Sequence, residues 1–283
     1  MSTMTISDIG IKRFCYCPRW FYINYVLGFN PKTPVKAKFI ISDALQKAIV
    51  ARNAGVFLDR CKDLARSEDM VEEDVAPDEM FARGELLAAE AIRWLSSVSN
   101  IKWQEQLVTY SSGKYDTLFE AYPKLVAEKN GQLTLFHFRI AYEASTPMDM
   151  LGYRLAAALQ TKGLKNSGIE VSKNILVSFI VRIRKERNSS RAKTPIVEIK
   201  EDELLFDYDL YAQQLEHVAG AIQHFSGNNE FPRLGLIDGT CIWCPNGRVL
   251  KDRILCEYPD EVLKQFSETS LQRTSIEKWR DEF

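Results

Sequence analysis

LVAEKNGQLTLFHFRI, residues 125–140, is the stretch that decides the fold class. Lys129-Asn130-Gly131 is a hairpin signal, because Asn-Gly accepts the positive φ angles of a tight turn. Leu133 to Ile140 then alternates apolar and polar residues as a strand does. Working outward, residues 103–110 and 115–127 contain further β-type runs. Downstream, PMDMLGYRLAAALQT (147–161) has helical texture, and the apolar run ILVSFIVRIR (175–184) and PIVEIK (195–200) predict two more strands. A long helix is expected over 203–226, ended by Gly227-Asn228-Asn229. Strand, strand, helix, strand, strand flanked by helices is an α/β architecture.

Before this core the texture is helical. Residues 5–28, TISDIGIKRFCYCPRWFYINYVLG, predict two helices broken at Cys17-Pro18, with Pro18 in the first turn of the second. Phe39 to about Asn100 lacks strand alternation and predicts several helices, with a turn near Ala76-Pro77-Asp78. The division expected is a helical part over 1–100 that carries Cys17, an α/β core over 101–235, and a cysteine segment with a charged tail over 236–283, all in one compact unit.

Hydrophobic residues make up 46% and charged residues 27% of the 283-residue chain, ordinary values for a globular protein. No apolar stretch is long enough to span a bilayer, and MSTMTISDIGIKRF is not a secretory signal, so a cytoplasmic, intracellular protein with no membrane partner is expected. The net charge of −1 excludes nucleic-acid binding by bulk electrostatics; only a local patch could supply it.

Six cysteines in such a chain argue against a disulfide framework. Cys241-Ile-Trp-Cys244 has the spacing that lets two thiolates reach one metal centre, and Cys256 follows after eleven intervening residues. A fourth ligand must come from elsewhere, and Cys17 is the best choice, because Cys-Pro at a helix start exposes a thiol on a turn. The competing reading is a free, metal-less pair. Cys61, in a helical pattern, is core or surface filler.

The string Ser7…Phe14…Cys17-Pro18-Arg19-Trp20-Phe21…Tyr25-Val26…Gly28 resembles the opening of RecB-like and AddB-like nucleases and of the CRISPR-associated RecB-like exonucleases, within the PD-(D/E)XK nuclease superfamily. The resemblance covers most of residues 5–256. It implies a restriction-endonuclease-like core with a helical N-terminal part and a C-terminal cysteine closure. It also implies that Cys17, Cys241, Cys244 and Cys256 hold a [4Fe–4S] cluster that staples distant chain segments together. Zinc remains open, since four cysteines suit it too.

Nucleases of this kind hold Mg²⁺ or Mn²⁺ on carboxylates at fixed strand positions, beside a lysine. The family order is His on a first helix, Asp on one strand, Asp/Glu-x-Lys on the next, and Gln-x-x-x-Tyr on a following helix. Here the His position falls at about Ser42, the Asp position at Pro123 or Lys124, the triplet at His137-Phe138-Arg139, and the last motif at Asp149-Met-Leu-Gly-Tyr153. Several anionic positions are altered together, so a catalytically inactive pseudonuclease is expected. The alternative is an active Mg/Mn-dependent exonuclease whose carboxylates have moved, using Glu120, His137 and Asp149, with Asp116 nearby.

A cleft that has lost its acids can still grip DNA. Lys124 and Arg139 would replace a metal-mediated phosphate contact by a direct one, and arginine does this in a bidentate way. A second basic feature is the run Arg182, Arg184, Lys185, Arg187, Arg191 and Lys193, opposed only by Glu186; a solvated hairpin tip explains it equally well. Tyr153 could stack on an unpaired base, as could Tyr16, Trp20 and Tyr22. The charged tail, with Val262, Phe266, Leu271, Ile276 and Trp279, either packs on the domain or docks a partner. The expected function is binding of single-stranded DNA as an accessory to a polymerase, helicase or other enzyme of replication, recombination or transcription. A scaffold without nucleic acid is a further alternative. A viral origin, with action in a bacterial host, suits so diverged a nuclease relative.

Overall fold

Ser7 shows how the N-terminus is organised. It ends a short strand, β1 (Met4–Ser7), and its Oγ accepts the Gly10 N–H at 3.1 Å, capping helix α1 (Asp8–Tyr16), whose first turn carries Asp8. Pro18 disfavours a helical conformation in the residue before it, so Cys17 is extended (φ −161°, ψ 112°) and α1 stops there. The same proline starts α2 (Pro18–Phe21), which runs into one turn of π-helix at Tyr22–Val26. These are the two helices and the break that the sequence predicts.

The fold is mixed α/β, as expected. The computed structural model describes residues 4–28, 35–67, 71–72, 77–141, 147–183, 195–228, 230–233, 249–250, 253–254, 256 and 259–261. In chain order there follow β2 (Val35–Lys36), α3 (Ala37–Ala51), α4 (Gly55–Ser67), β3 (Val71–Glu72), α5 (Pro77–Leu95), β4 (Ser99–Gln104), β5 (Val108–Ser111), β6 (Thr117–Ala121), β7 (Leu125–Lys129), β8 (Gln132–Ala141), α6 (Pro147–Asn166), β9 (Lys173–Ile183), β10 (Pro195–Glu203), α7 (Tyr208–Asn228), β11 (Val249–Leu250) and β12 (Arg253–Ile254). The small strands pair as β2 with β3, parallel, and β11 with β12, antiparallel. Among the described residues no helix is long and apolar enough to cross a membrane.

The chain forms two compact units, neither continuous in sequence. One comprises Met1–Thr33, Tyr110–Glu120 and Ala212–Phe283; the other comprises Pro34–Thr109 and Ala121–Tyr211. The first holds the pairing of β1 with β6, a parallel ladder from Met4↔Thr117 to Ser7↔Glu120, with β5 on the other side of β6. Within it the carboxylate of Glu216 on α7 accepts from Tyr110 Oη, from Ser112 Oγ at 2.5 Å and from the Gly113 N–H at 3.2 Å, fixing the β5–β6 turn.

The second unit is built on a five-stranded sheet in the order β10-β9-β8-β7-β4. β7 and β8 form the predicted hairpin, with φ +52° at Asn130 and +75° at Gly131, the turn that Asn-Gly favours. β8 and β9 are parallel, and α6 makes the crossover between them. Side chains of β8 alternate. Phe136 and Phe138 face a core shared with α3, α4 and α5, in which Ala44, Leu45, Phe57, Leu87 and Trp94 are buried; Trp94 meets Phe136, Phe138 and Phe179 edge-on. His137 is paired with Leu176 of β9, which packs with Ala157 of α6 and Leu204.

α3 ends in a Schellman motif, with the Arg52 N–H on the Ile49 carbonyl and the Asn53 N–H on the Ala48 carbonyl, both at 3.1 Å. The left-handed position is filled by Arg52 at φ +52°, where glycine fits without a Cβ penalty. Arg52 is exposed, so Arg52→Gly should stabilise the protein by about 1 kcal/mol, read as a higher urea midpoint. An unchanged or lower midpoint would show that the side chain contributes more than its backbone costs.

Candidate functional site

A row of polar groups crosses one end of β4, β7 and β8. The last paired residues of β4 and β7 are Gln104 and Leu125, so the next residues, Glu105 and Lys124, are backbone neighbours. In the same way the pair Leu125↔Phe136 makes Lys124 the neighbour of His137. All three belong to the second unit.

Glu105 is a residue that the sequence reasoning missed. It lies just past β4 in left-handed backbone (φ +48°), and its N–H donates to the Pro123 carbonyl at 3.1 Å. Its Oε1 accepts from Lys124 Nζ at 3.0 Å, and Lys47 Nζ, from α3, stands 3.3 Å from Oε2 and 3.5 Å from Oε1. Burial alone would raise the Glu105 pKa, but the ammonium groups of Lys124 and Lys47 outweigh it and hold the carboxyl below its ordinary range. Lys124 is therefore not a free cation: its charge is already met by a carboxylate.

His137 is only 6% exposed. Burial pushes its pKa down to about 4, opposed weakly by a 3.3 Å hydrogen bond from Nε2 to Asn174 Oδ1. Thr161 Oγ of α6 donates to the same oxygen at 3.4 Å. The ring is thus neutral at physiological pH and brings no positive charge to a phosphate. Arg139, two residues along β8, is half-buried on the same face of the strand. Tyr153 is half-buried against Ala157, Leu176 and Leu204, where its ring packs in an apolar cluster.

The other sequence-predicted positions are distributed more widely. Ser42 is on α3, next to Asp43, whose carboxylate is bound 2.7 Å from Arg60 Nε. Glu120 and Asp116 belong to the first unit, whereas His137 and Asp149 belong to the second. Glu120 is on β6 opposite Ser7, and burial raises its pKa. Asp149 is on α6 and Arg182 near the end of β9, their side chains outside the described atoms. Arg184, Lys185 and Arg187 lie outside the described residues, as do Arg191, Lys193 and the tail from Val262 onward.

Cys17 precedes α2 as expected, but it is buried, not exposed on the turn: the extended backbone that Pro18 imposes turns its thiol toward the Pro232 carbonyl, 4.0 Å away. Cys256 is buried in the same unit, and neither cysteine is joined in a disulfide. Their neighbourhoods are tied together, since Arg19 donates to Asp260 at 2.8 Å, Tyr22 Oη donates to the same carboxylate at 2.5 Å, and the Arg19 N–H donates to the Pro232 carbonyl at 3.1 Å. Cys241 and Cys244 lie outside the described residues; among those described, no three His, Cys, Asp or Glu side chains are grouped to hold a metal ion. Cys61 is buried in the helical core of the second unit, where burial and Asp43 push its thiol up to about 12, as suits packing filler.

No protein-family model matches the chain, and no curated protein matches it. Among solved structures, the chain is similar to that of "Crystal structure of SSO0001", with 10% identity and a TM-score of 0.35 over 86% of this chain and 95% of that one.

Proposed function

We propose that this chain is a catalytically inactive relative of the PD-(D/E)XK nucleases that binds single-stranded DNA and assists a polymerase, a helicase or another nucleic-acid enzyme. The observation that carries the proposal is the register of β7 and β8. Positions 124 and 137, which such a nuclease would fill with metal-binding carboxylates, are backbone neighbours, and here they hold a lysine and a buried neutral histidine. The order α5, β4, β7, β8, α6, β9, with β5 and β6 between β4 and β7 and with β8 and β9 parallel, supports the core that the resemblance implies. Mg²⁺ wants hard oxygen ligands, and neither a lysine nor a histidine held by Asn174 offers one.

Cys17 and Cys256, both buried in one unit whose N- and C-terminal segments are tied by Arg19 and Asp260, support a cysteine-held [4Fe–4S] staple, completed by Cys241 and Cys244. The group would supply closure between segments far apart in sequence, not chemistry at the cleft. Iron and inorganic sulfide in the purified protein are expected, lost in Cys17→Ser; stoichiometric zinc would replace the cluster by a zinc site.

Fluorescence anisotropy with a labelled single-stranded oligonucleotide tests the DNA reading. The double variant Lys124→Ala/Arg139→Ala should bind roughly tenfold more weakly, and the slope of log affinity against log salt should fall by about 1.4, the loss of two phosphate contacts on a single strand. Unchanged affinity and slope would remove DNA from the cleft. Divalent-metal-dependent degradation of the oligonucleotide, abolished by Glu120→Ala, would replace the proposal by an active exonuclease. No salt-sensitive binding at all would leave a protein scaffold.

A further inference from the structure

We infer that Lys47, Glu105 and Lys124 form a seat for a single backbone phosphate of a nucleic acid, in which the Glu105 carboxylate is a removable placeholder. The inference rests on the DNA-binding reading above and adds to it Lys47 and an internal competitor. Two ammonium groups converge on one carboxylate, at 3.0 Å from Lys124 and 3.3 Å from Lys47. Two lysines facing one anionic group are a phosphate-binding arrangement as much as an ion-pair network, since a backbone phosphodiester, like a carboxylate, shares one negative charge between two acceptor oxygens. The lysine side chains are 29% and 23% exposed, so an incoming anion can reach them.

Why a structural salt bridge is the poorer account follows from its backbone. Glu105 is held in left-handed conformation, which costs a side-chain-bearing residue about 1 kcal/mol. The Glu105 side chain is only 12% exposed, so the attraction of the two lysines is offset in large part by the cost of burying the charges, and the pairing gains the fold little. What the turn does achieve is to aim an anion between two cations at the end of β4 and β7, beside the position that a nuclease reserves for metal and phosphate. The backbone is anchored by the Glu105 N–H on the Pro123 carbonyl, so the carboxylate can leave by side-chain rotation alone.

The placeholder makes two opposite demands on mutants. Glu105→Gln keeps the shape and removes the competing charge, and should tighten binding of a labelled single-stranded oligonucleotide by roughly five- to tenfold, the equivalent of the ion pairs no longer broken. Lys47→Ala should weaken binding severalfold and reduce the salt slope by about 0.7, one phosphate contact. Circular dichroism melts of each variant establish that it is folded. If wild-type protein binds and Lys124→Ala/Arg139→Ala weakens it, but Glu105→Gln and Lys47→Ala leave affinity and slope unchanged, the seat is overturned and the DNA reading stands. If wild-type protein shows no salt-sensitive binding, both fall.

Discussion

His137→Gln should flatten the fall in stability that the wild-type protein shows as pH drops from 6.5 toward 4. The unfolded chain binds a proton on this histidine near pH 6.5, whereas the folded protein resists it until about 4, because the ring is buried and bonded to Asn174. A folded-state pKa lowered in this way contributes stability that is complete above the unfolded value and is lost as pH falls through the folded one. The interval of 6.5 to about 4 corresponds to roughly 3 kcal/mol at 1.36 kcal/mol per unit. Glutamine can still donate to Asn174 Oδ1 and does not titrate, so its stability should follow a flatter course over this range. Urea unfolding at a series of pH values, followed by far-UV circular dichroism, gives the comparison. Two curves that run parallel from pH 7 to 4 would mean that His137 is not the buried neutral group described here.

The parts of the fold that were legible are those with a local cause. Asn130-Gly131 needs only its own φ angles to make a hairpin, and Pro18 needs only its ring to stop α1 at Cys17. α6, β9 and β10 announce themselves by length and by their apolar content, and the structure extends α6 only from the predicted end at 161 to Asn166. Strand β1 was not legible. Four residues, Met4–Ser7, carry too little pattern, and their pairing with Thr117–Glu120 joins segments far apart in sequence. The β-type segment from 103 to 110 is divided between two strands, because the chain turns at Glu105 between β4 and β5. The polar triple Gln104-Glu105-Gln106 was the signal for that turn.

The candidate site was legible only as positions. Alignment to a nuclease pattern located Lys124, His137 and Arg139, and the β-ladder makes the first two neighbours. Their electrical state was not legible. By sequence Lys124 is a free cation, whereas in the fold Glu105 stands opposite it, and a histidine between two phenylalanines gives no hint of how deeply its strand is covered by α6. Charge at a cleft depends on what stands across the strand, which sequence spacing does not encode.

Gly84→Ala should destabilise the second unit by about 1–2 kcal/mol, and shrinking Phe57 should recover part of the loss. Gly84 is buried on α5, and a Cβ there would lie 2.1 Å from Phe57 Cζ and 2.5 Å from its Cε1, well inside van der Waals contact. Alanine improves the helix by about 1 kcal/mol, so the sign depends on whether Phe57 can give way. It is fully buried among Ala44, Leu45 and Leu87, and overpacking such a site costs about 1–3 kcal/mol or more. The clash therefore wins. Phe57→Ala alone should cost about 3–5 kcal/mol by leaving a cavity. Combined, the two errors are complementary, because the new methyl enters the space the ring has vacated. The double variant Gly84→Ala/Phe57→Ala should be less destabilised than the sum of its single variants by more than about 1 kcal/mol, the coupling expected of residues in contact. Strict additivity in urea unfolding would show that α4 and α5 do not meet at this point, and the core that carries β7 and β8 would have to be packed in another way.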